Sequence, residues 1–144
     1  MVAVKIKRPA WARVLLIDDD SAVREATEWL LEANGFDVVA VASGPSGIEA
    51  MKAGPFHLVI VDLFMPGMDG LETTKAIRQL DHAIPVIAVS GFMLGHLSLE
   101  MPNFDSMAAE AGAIATLYKP FQPDVLLQAL WRALGQDAPK QRAR

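Results

Sequence analysis

Leu58-Val59-Ile60-Val61-Asp62 runs directly into Leu63-Phe64-Met65-Pro66-Gly67-Met68-Asp69-Gly70. The opening residues form an apolar run rich in β-branched side chains with no helical period, the pattern of a strand buried on both faces. That run ends on a carboxylate, Asp62, and the backbone then turns through Pro66, Gly67 and Gly70. In an open parallel sheet, ligands collect at the carboxyl ends of the strands. Asp62 is therefore a candidate site residue, and what else reaches that strand end decides the chemistry.

Upstream, Val14 to Ile17 reads as a short apolar strand ending on Asp18-Asp19-Asp20. Three successive carboxylates repel one another, so positive charge is expected close by. Asp20 or Ser21 can cap a helix running to about Gly35, with Val23, Ala26, Leu30 and Leu31 on one face. Asp37 to Val41 gives a second strand, and Ser43 a cap for a short helix that holds Ile48 and Met51 and closes at Gly54-Pro55. Downstream of Asp62, a helix from about Leu71 to Leu80 turns Ile77 and Leu80 inward. Ile84 to Val89 is the fourth strand, ending on Ser90-Gly91, and Ile114 to Tyr118 the fifth, ending on Lys119-Pro120-Phe121. A last helix spans about Pro123 to Leu134. Five strands alternating with helices predict an α/β fold with a parallel sheet and right-handed crossovers.

Composition narrows the function. The 144 residues suit a single domain with a sizeable core. A hydrophobic share of 52% and a mean hydropathy of +0.27 fit a sheet covered on both faces. A formal charge of −4 and a pI near 5.3 give no basic field for nucleic acid. The absence of cysteine rules out disulfides, thiol catalysis and Cys-ligated zinc or iron–sulfur sites, and it is compatible with a cytoplasmic location. The longest chargeless run, Ala83 to Leu99, contains Pro85, Gly91 and Gly95 and falls short of a membrane span, so it reads as a core strand plus loop.

The strand ends supply Asp18 and Asp19, then Asp62, then Ser90 and Lys119, and parallel strands bring them to one edge. Clustered carboxylates without cysteine or paired histidines suit a hard, oxygen-seeking cation such as Mg²⁺. Such a cation relieves the repulsion and can bridge to a phosphoryl oxygen. Lys119 is a mobile point charge suited to phosphate, and the Ser90 hydroxyl can donate to a phosphoryl oxygen. Asp62 is then the group placed to be a nucleophile, as carboxylates are in aspartyl-phosphate chemistry. Asp20 and Asp69 read as helix caps. His57, His82 and His96 are isolated and read as structural.

Four motifs, Val14-Leu-Leu-Ile-Asp-Asp-Asp, Val61-Asp-Leu-Phe-Met-Pro-Gly-Met-Asp-Gly, Ala88-Val-Ser-Gly and Tyr118-Lys-Pro-Phe, resemble those of the receiver domain of two-component response regulators. They stand in the family's order over about Arg13 to Gly135. The resemblance implies a flavodoxin-like sheet of order 2-1-3-4-5, as in chemotaxis receivers. It implies that Asp62 accepts a phosphoryl group from a histidine kinase or phosphotransfer protein. It also implies Mg²⁺ held by Asp19, Asp62 and the Phe64 backbone carbonyl, with Asp18 acting through water. Ser90 would report phosphorylation, Lys119 would pair with the phosphate, and the Lys119–Pro120 bond would be cis.

Two features depart from the family pattern. The aromatic switch position, three residues before the lysine, is Thr116. The stretch between Ser90 and Lys119 is also longer than usual by roughly a helical turn or two. It carries Phe92, Met93, Leu94, Leu97, Leu99, Met101, Phe104 and Met107, which either pack back onto the fold or form a partner surface. The family also places the side chain two positions past the acceptor, here Phe64, beside the site. Its bulk either slows the access of water or simply packs on the surface.

The expectation is a stand-alone receiver domain over residues 13–135, with an N-terminal arm at 1–12, a tail at 136–144 and no output domain. It is a switch rather than a metabolic enzyme, as a monomer or weak homodimer, with at most self-directed phosphotransfer and autodephosphorylation. Its downstream protein target reads the face of helix 4, strand 5 and helix 5, and no nucleic acid or membrane is involved. The alternative is a constitutive docking module without functional phosphorylation. An aspartyl-phosphate phosphatase needs a general acid two residues past the nucleophile, a role Phe64 cannot fill.

Overall fold

Every second residue of the central strands is apolar on each face, and the chain buries both sets. A computed structural model describes residues 12–65, 69–91 and 104–135. Strands β1 (Arg13–Ile17), β2 (Asp37–Val41), β3 (Leu58–Asp62), β4 (Val86–Gly91) and β5 (Ala115–Lys119) form one sheet in the order β2-β1-β3-β4-β5. All four pairings are parallel. Helices α1 (Ser21–Ala33), α2 (Gly44–Ala53), α3 (Gly70–Leu80), α4 (Phe104–Ala111) and α5 (Pro123–Ala133) complete the described residues. The flavodoxin-like order 2-1-3-4-5 is thus the observed one.

Alternation along the strands sorts the core into two layers. Val14, Leu16, Leu58, Ile60, Ile87 and Val89 meet Leu31 of α1 and Leu126, Leu130 and Trp131 of α5. Leu15, Ile17, Val59, Val61, Val86 and Ala88 meet Ile77 of α3 and Ala108 of α4. Phe36 and Trp131 close the first layer with ring centroids 5.0 Å apart. Side chains cap three of the helices: Asp20 accepts from the amides of Ala22 and Val23, Ser43 from Ser46, and Asp69 shares a reciprocal capping box with Glu72. Asp20 and Asp69 are therefore caps, as the sequence indicates.

Several local expectations are corrected. Leu80 is 46% exposed and Ala26 also faces solvent, so the inward faces of α3 and α1 rest on Ile77 and Leu31. β4 begins at Val86 rather than Ile84, because the Ile84 amide is taken by Asp81 Oδ1 at 3.1 Å and Pro85 has no amide to donate. β5 begins and ends one residue later than expected, which places Lys119 on its last position. α4 spans Phe104–Ala111. In α2 the fully buried positions are Gly44 and Gly47, while Ile48 and Met51 are half-buried. A Cβ on Gly47 would lie 2.4 Å from Ile17 Cδ1, so this glycine sets the approach of α2 to β1. On the last helix, Leu127, Ala129, Ala133 and Leu134 join the same core as Leu126, Leu130 and Trp131. The readings of the N-terminal arm, the tail and Phe92 to Met101 lie outside the described residues. Among the described residues, no helix is long and apolar enough to cross a membrane, and Val86–Gly91 within the chargeless run is a strand.

Candidate functional site

Strand register brings the predicted residues together. Ile17 pairs with Val61, Asp62 with Val89, Ser90 with Tyr118 and Gly91 with Lys119. The four parallel strands β1, β3, β4 and β5 thus end at one edge, and Asp18, Asp62, Ser90 and Lys119 stand there. Asp18, Asp62 and Ser90 are buried, with 4%, 5% and 1% of their surfaces exposed, and Asp19 is exposed. Carboxylate oxygens of Asp18, Asp19 and Asp62 all lie within 4.8 Å of one another.

Lys119 is the positive charge that the acidic run demanded. Its Nζ donates to Asp18 Oδ2 at 3.2 Å and to Asp62 Oδ2 at 3.3 Å, across 101 and 57 residues of sequence. The remaining Asp62 oxygen, Oδ1, accepts from the Phe64 amide at 3.0 Å, and Asp18 Oδ1 accepts from the Asp20 amide at 2.9 Å. Burial pushes the Asp62 carboxyl up to about 6; the Phe64 amide and the Lys119 charge oppose the rise, and Asp18 adds to it. For Lys119, burial favours the neutral amine, but Asp62 and Asp18 outweigh it and the ammonium is held above its ordinary value. One ammonium cannot neutralise three carboxylates, so the cluster keeps an excess of negative charge. Its donors are all hard oxygens, and this set fits a small divalent cation.

Gly70 explains how the turn after β3 closes. A Cβ there would lie 2.3 Å from the Asp62 carbonyl oxygen and 2.5 Å from Leu63 Cα, both backbone atoms. Only glycine lets α3 start against the strand that carries Asp62. Thr116 pairs with Ala88 in mid-strand and is half-buried, three residues before Lys119. Phe64 is 37% exposed beside the acceptor position. The Lys119–Pro120 bond is cis, as the resemblance implied.

Arg24 escaped the sequence reading. Its guanidinium reaches back from the first turns of α1 and donates to the Asp18 carbonyl oxygen at 2.9 Å, fixing the turn that presents the acids. A basic residue one helical turn past three aspartates was the available signal.

A buried strand-end carboxylate bonded to a strand-end lysine, with two more acids beside it on a five-stranded 2-1-3-4-5 sheet, defines a class. The chain belongs to the response regulator receiver domain family, whose sequence model matches residues 14–131. It is 36% identical over 123 residues to the chemotaxis protein CheY of Bacillus subtilis, covering 85% of this chain and 97% of that protein. It is 35% identical over 126 residues to the transcriptional regulatory protein CseB of Streptomyces coelicolor, covering 85% of this chain but 50% of the regulator. The chain thus spans about half the length of such transcriptional relatives. Among solved structures, a CheY-like receiver domain protein from Methanospirillum hungatei superposes with a TM-score of 0.76 at 30% identity, covering 85% of this chain and 93% of that one. The chemotaxis protein CheY4 of Vibrio cholerae gives 0.75 at 29% identity, covering 85% and 98%.

Proposed function

We propose that residues 13–135 act as a cytoplasmic phosphorylation switch in which Asp62 accepts a phosphoryl group from a histidine kinase or a phosphotransfer protein. The observation that carries this reading is the pair of contacts from Lys119 to Asp62 and Asp18 inside a three-carboxylate cluster. Asp18, Asp19, Asp62 and the Phe64 backbone carbonyl would hold Mg²⁺. When bound, that ion supplies charge neutralisation at the phosphoryl oxygens.

Asp62 attacks as the ionised carboxylate: its oxygen forms a bond to phosphorus as the phosphorus–nitrogen bond to the donor histidine breaks. The Phe64 amide holds one carboxylate oxygen, which orients the other towards the donor. Phosphorylation adds charge and acceptor oxygens at the strand end. Lys119 then exchanges its carboxylate partners for a phosphoryl oxygen, and the buried Ser90 hydroxyl is drawn to another. Because Ser90 and Lys119 are neighbours on β4 and β5, their movement reaches the face formed by α4, β5 and α5.

That face exposes Ile114, Tyr118 and Val125. A groove of about 300 Å³, lined in part by Ile114, Leu117, Val125, Ala129 and Arg132, runs beside the edge strand. A downstream protein that reads this face would complete the switch. The test is a pair of amide NMR spectra taken before and after addition of acetyl phosphate with Mg²⁺. Signals of Ser90, Gly91 and Ala115 to Lys119 are expected to move in the wild type and to stay in Asp62→Asn. Unmoved signals in a phosphorylated wild type would leave a constitutive docking module.

A further inference from the structure

The opposite edge of the sheet holds a second polar constellation. Arg78, in the last turn of α3, is half-buried and donates three hydrogen bonds to backbone carbonyls: Nη1 to His82 at 2.9 Å and to Ile84 at 2.6 Å, and Nη2 to Gly112 at 2.6 Å. His82 and Ile84 belong to the connection entering β4, and Gly112 to the connection from α4 into β5. Gly112 has φ +118°, and a Cβ there would sit 2.8 Å from Arg78 Nε, so the residue is glycine for both conformation and space. The Gly112 and Ala113 amides close the end of α4 on the Ala108 carbonyl, and the Ile114 amide donates to Val86. One guanidinium therefore ties the end of α3, the start of β4 and the end of α4 together.

We propose that Arg78 and Gly112 form a fixed pivot for α4, so that phosphorylation moves the start of this helix while its end stays in place. The proposal rests on the switch reading given above. At the site edge, Lys119 has two charged partners to exchange. At the Arg78 edge, every acceptor is a backbone carbonyl whose bond is indifferent to the charge on Asp62. A displacement of the start of α4 can thus only tilt the helix about its anchored end. Arg78 is a positioning residue here and touches no reacting atom.

Hydrogen exchange read by mass spectrometry, on the whole chain, tests the pivot in two stages. Without phosphodonor, Arg78→Met should raise exchange at Gly112, Ala113 and Ile114 at least tenfold relative to the wild type, while amides of β1 and β3 stay protected. Gly112→Ala, which displaces the guanidinium by a different route, should do the same, and it serves if Arg78→Met does not fold. With acetyl phosphate and Mg²⁺, the phosphorylated wild type should change exchange in the first turn of α4 and not at residues 112–114. In the variants the change should spread to 112–114. Altered exchange at 112–114 in the phosphorylated wild type, or no loosening in either variant, overturns the pivot. Absence of a phosphoryl adduct would instead refute the switch reading, and the first stage would still judge the clamp.

Discussion

The two edges of the sheet treat charge in opposite ways. At the amino-terminal edge, arginines find backbone partners: Arg78 donates to three carbonyls, and Arg13 donates to the Pro55 carbonyl at 3.0 Å, lies over the Phe56 ring and faces Asp37. At the carboxyl-terminal edge, three carboxylates share one lysine. The first arrangement is satisfied and rigidifying; the second leaves like charges facing one another and a desolvated acid whose pKa is raised to about 6. Polar satisfaction is concentrated at one edge and unrelieved charge at the other, the division expected where a site gives up stability for chemistry.

Removing the charged groups of the two edges should therefore shift stability in opposite directions, whereas a backbone clash costs stability at either. The largest effect is expected at the turn behind Asp62. Gly70→Ala forces a Cβ into the Asp62 carbonyl and should cost about 3 kcal/mol in urea unfolding, since the obstructing atoms are backbone. Arg78→Met removes bonds from a charged donor and strands three carbonyls, and should cost about 2 kcal/mol by the same measurement. Asp62→Asn should have the opposite sign, a gain of about 1 kcal/mol at pH 7, because it removes a buried charge beside Asp18. Equal losses in Arg78→Met and Asp62→Asn would break the comparison.

The most diagnostic effect is a pH dependence. A carboxyl raised from 3.8 to about 6 binds its proton more tightly in the folded chain than in the unfolded one. Stability should therefore fall as pH rises from about 4 to about 6, and this component should vanish in Asp62→Asn. In a carbon-detected titration of the metal-free wild type, the Asp62 carboxyl should show a midpoint near 6, and Mg²⁺ should lower it. A midpoint near 4 without metal would mean that the site edge is not under the electrostatic load described.

Much of this was legible in the sequence, because strands and site share one signal. An apolar run that stops on a polar residue marks both the strand and the edge where its last side chain emerges. That is how Asp18, Asp62, Ser90 and Lys119 could be placed together from spacing alone. Sheet order was not encoded locally and came from the resemblance of four motifs. Less legible was whatever depends on contacts between distant segments. Leu80 fits the helical stripe of α3, yet Ile77 fills the space against the sheet. A broad face of α5, from Leu126 to Leu134, packs because Phe36 and the half-buried Leu30 add apolar surface beside it. Arg24 and Arg78 do not stand out in the sequence, since nothing there says which carbonyls lie within reach.

Intact-protein mass after incubation with acetyl phosphate tests the central claim most directly, with and without Mg²⁺, on the wild type and on Asp62→Asn. The account predicts one phosphoryl adduct on the wild type only, formed when Mg²⁺ is present. An adduct that survives in Asp62→Asn, or none on the wild type from acetyl phosphate or from a panel of histidine kinases, would contradict it.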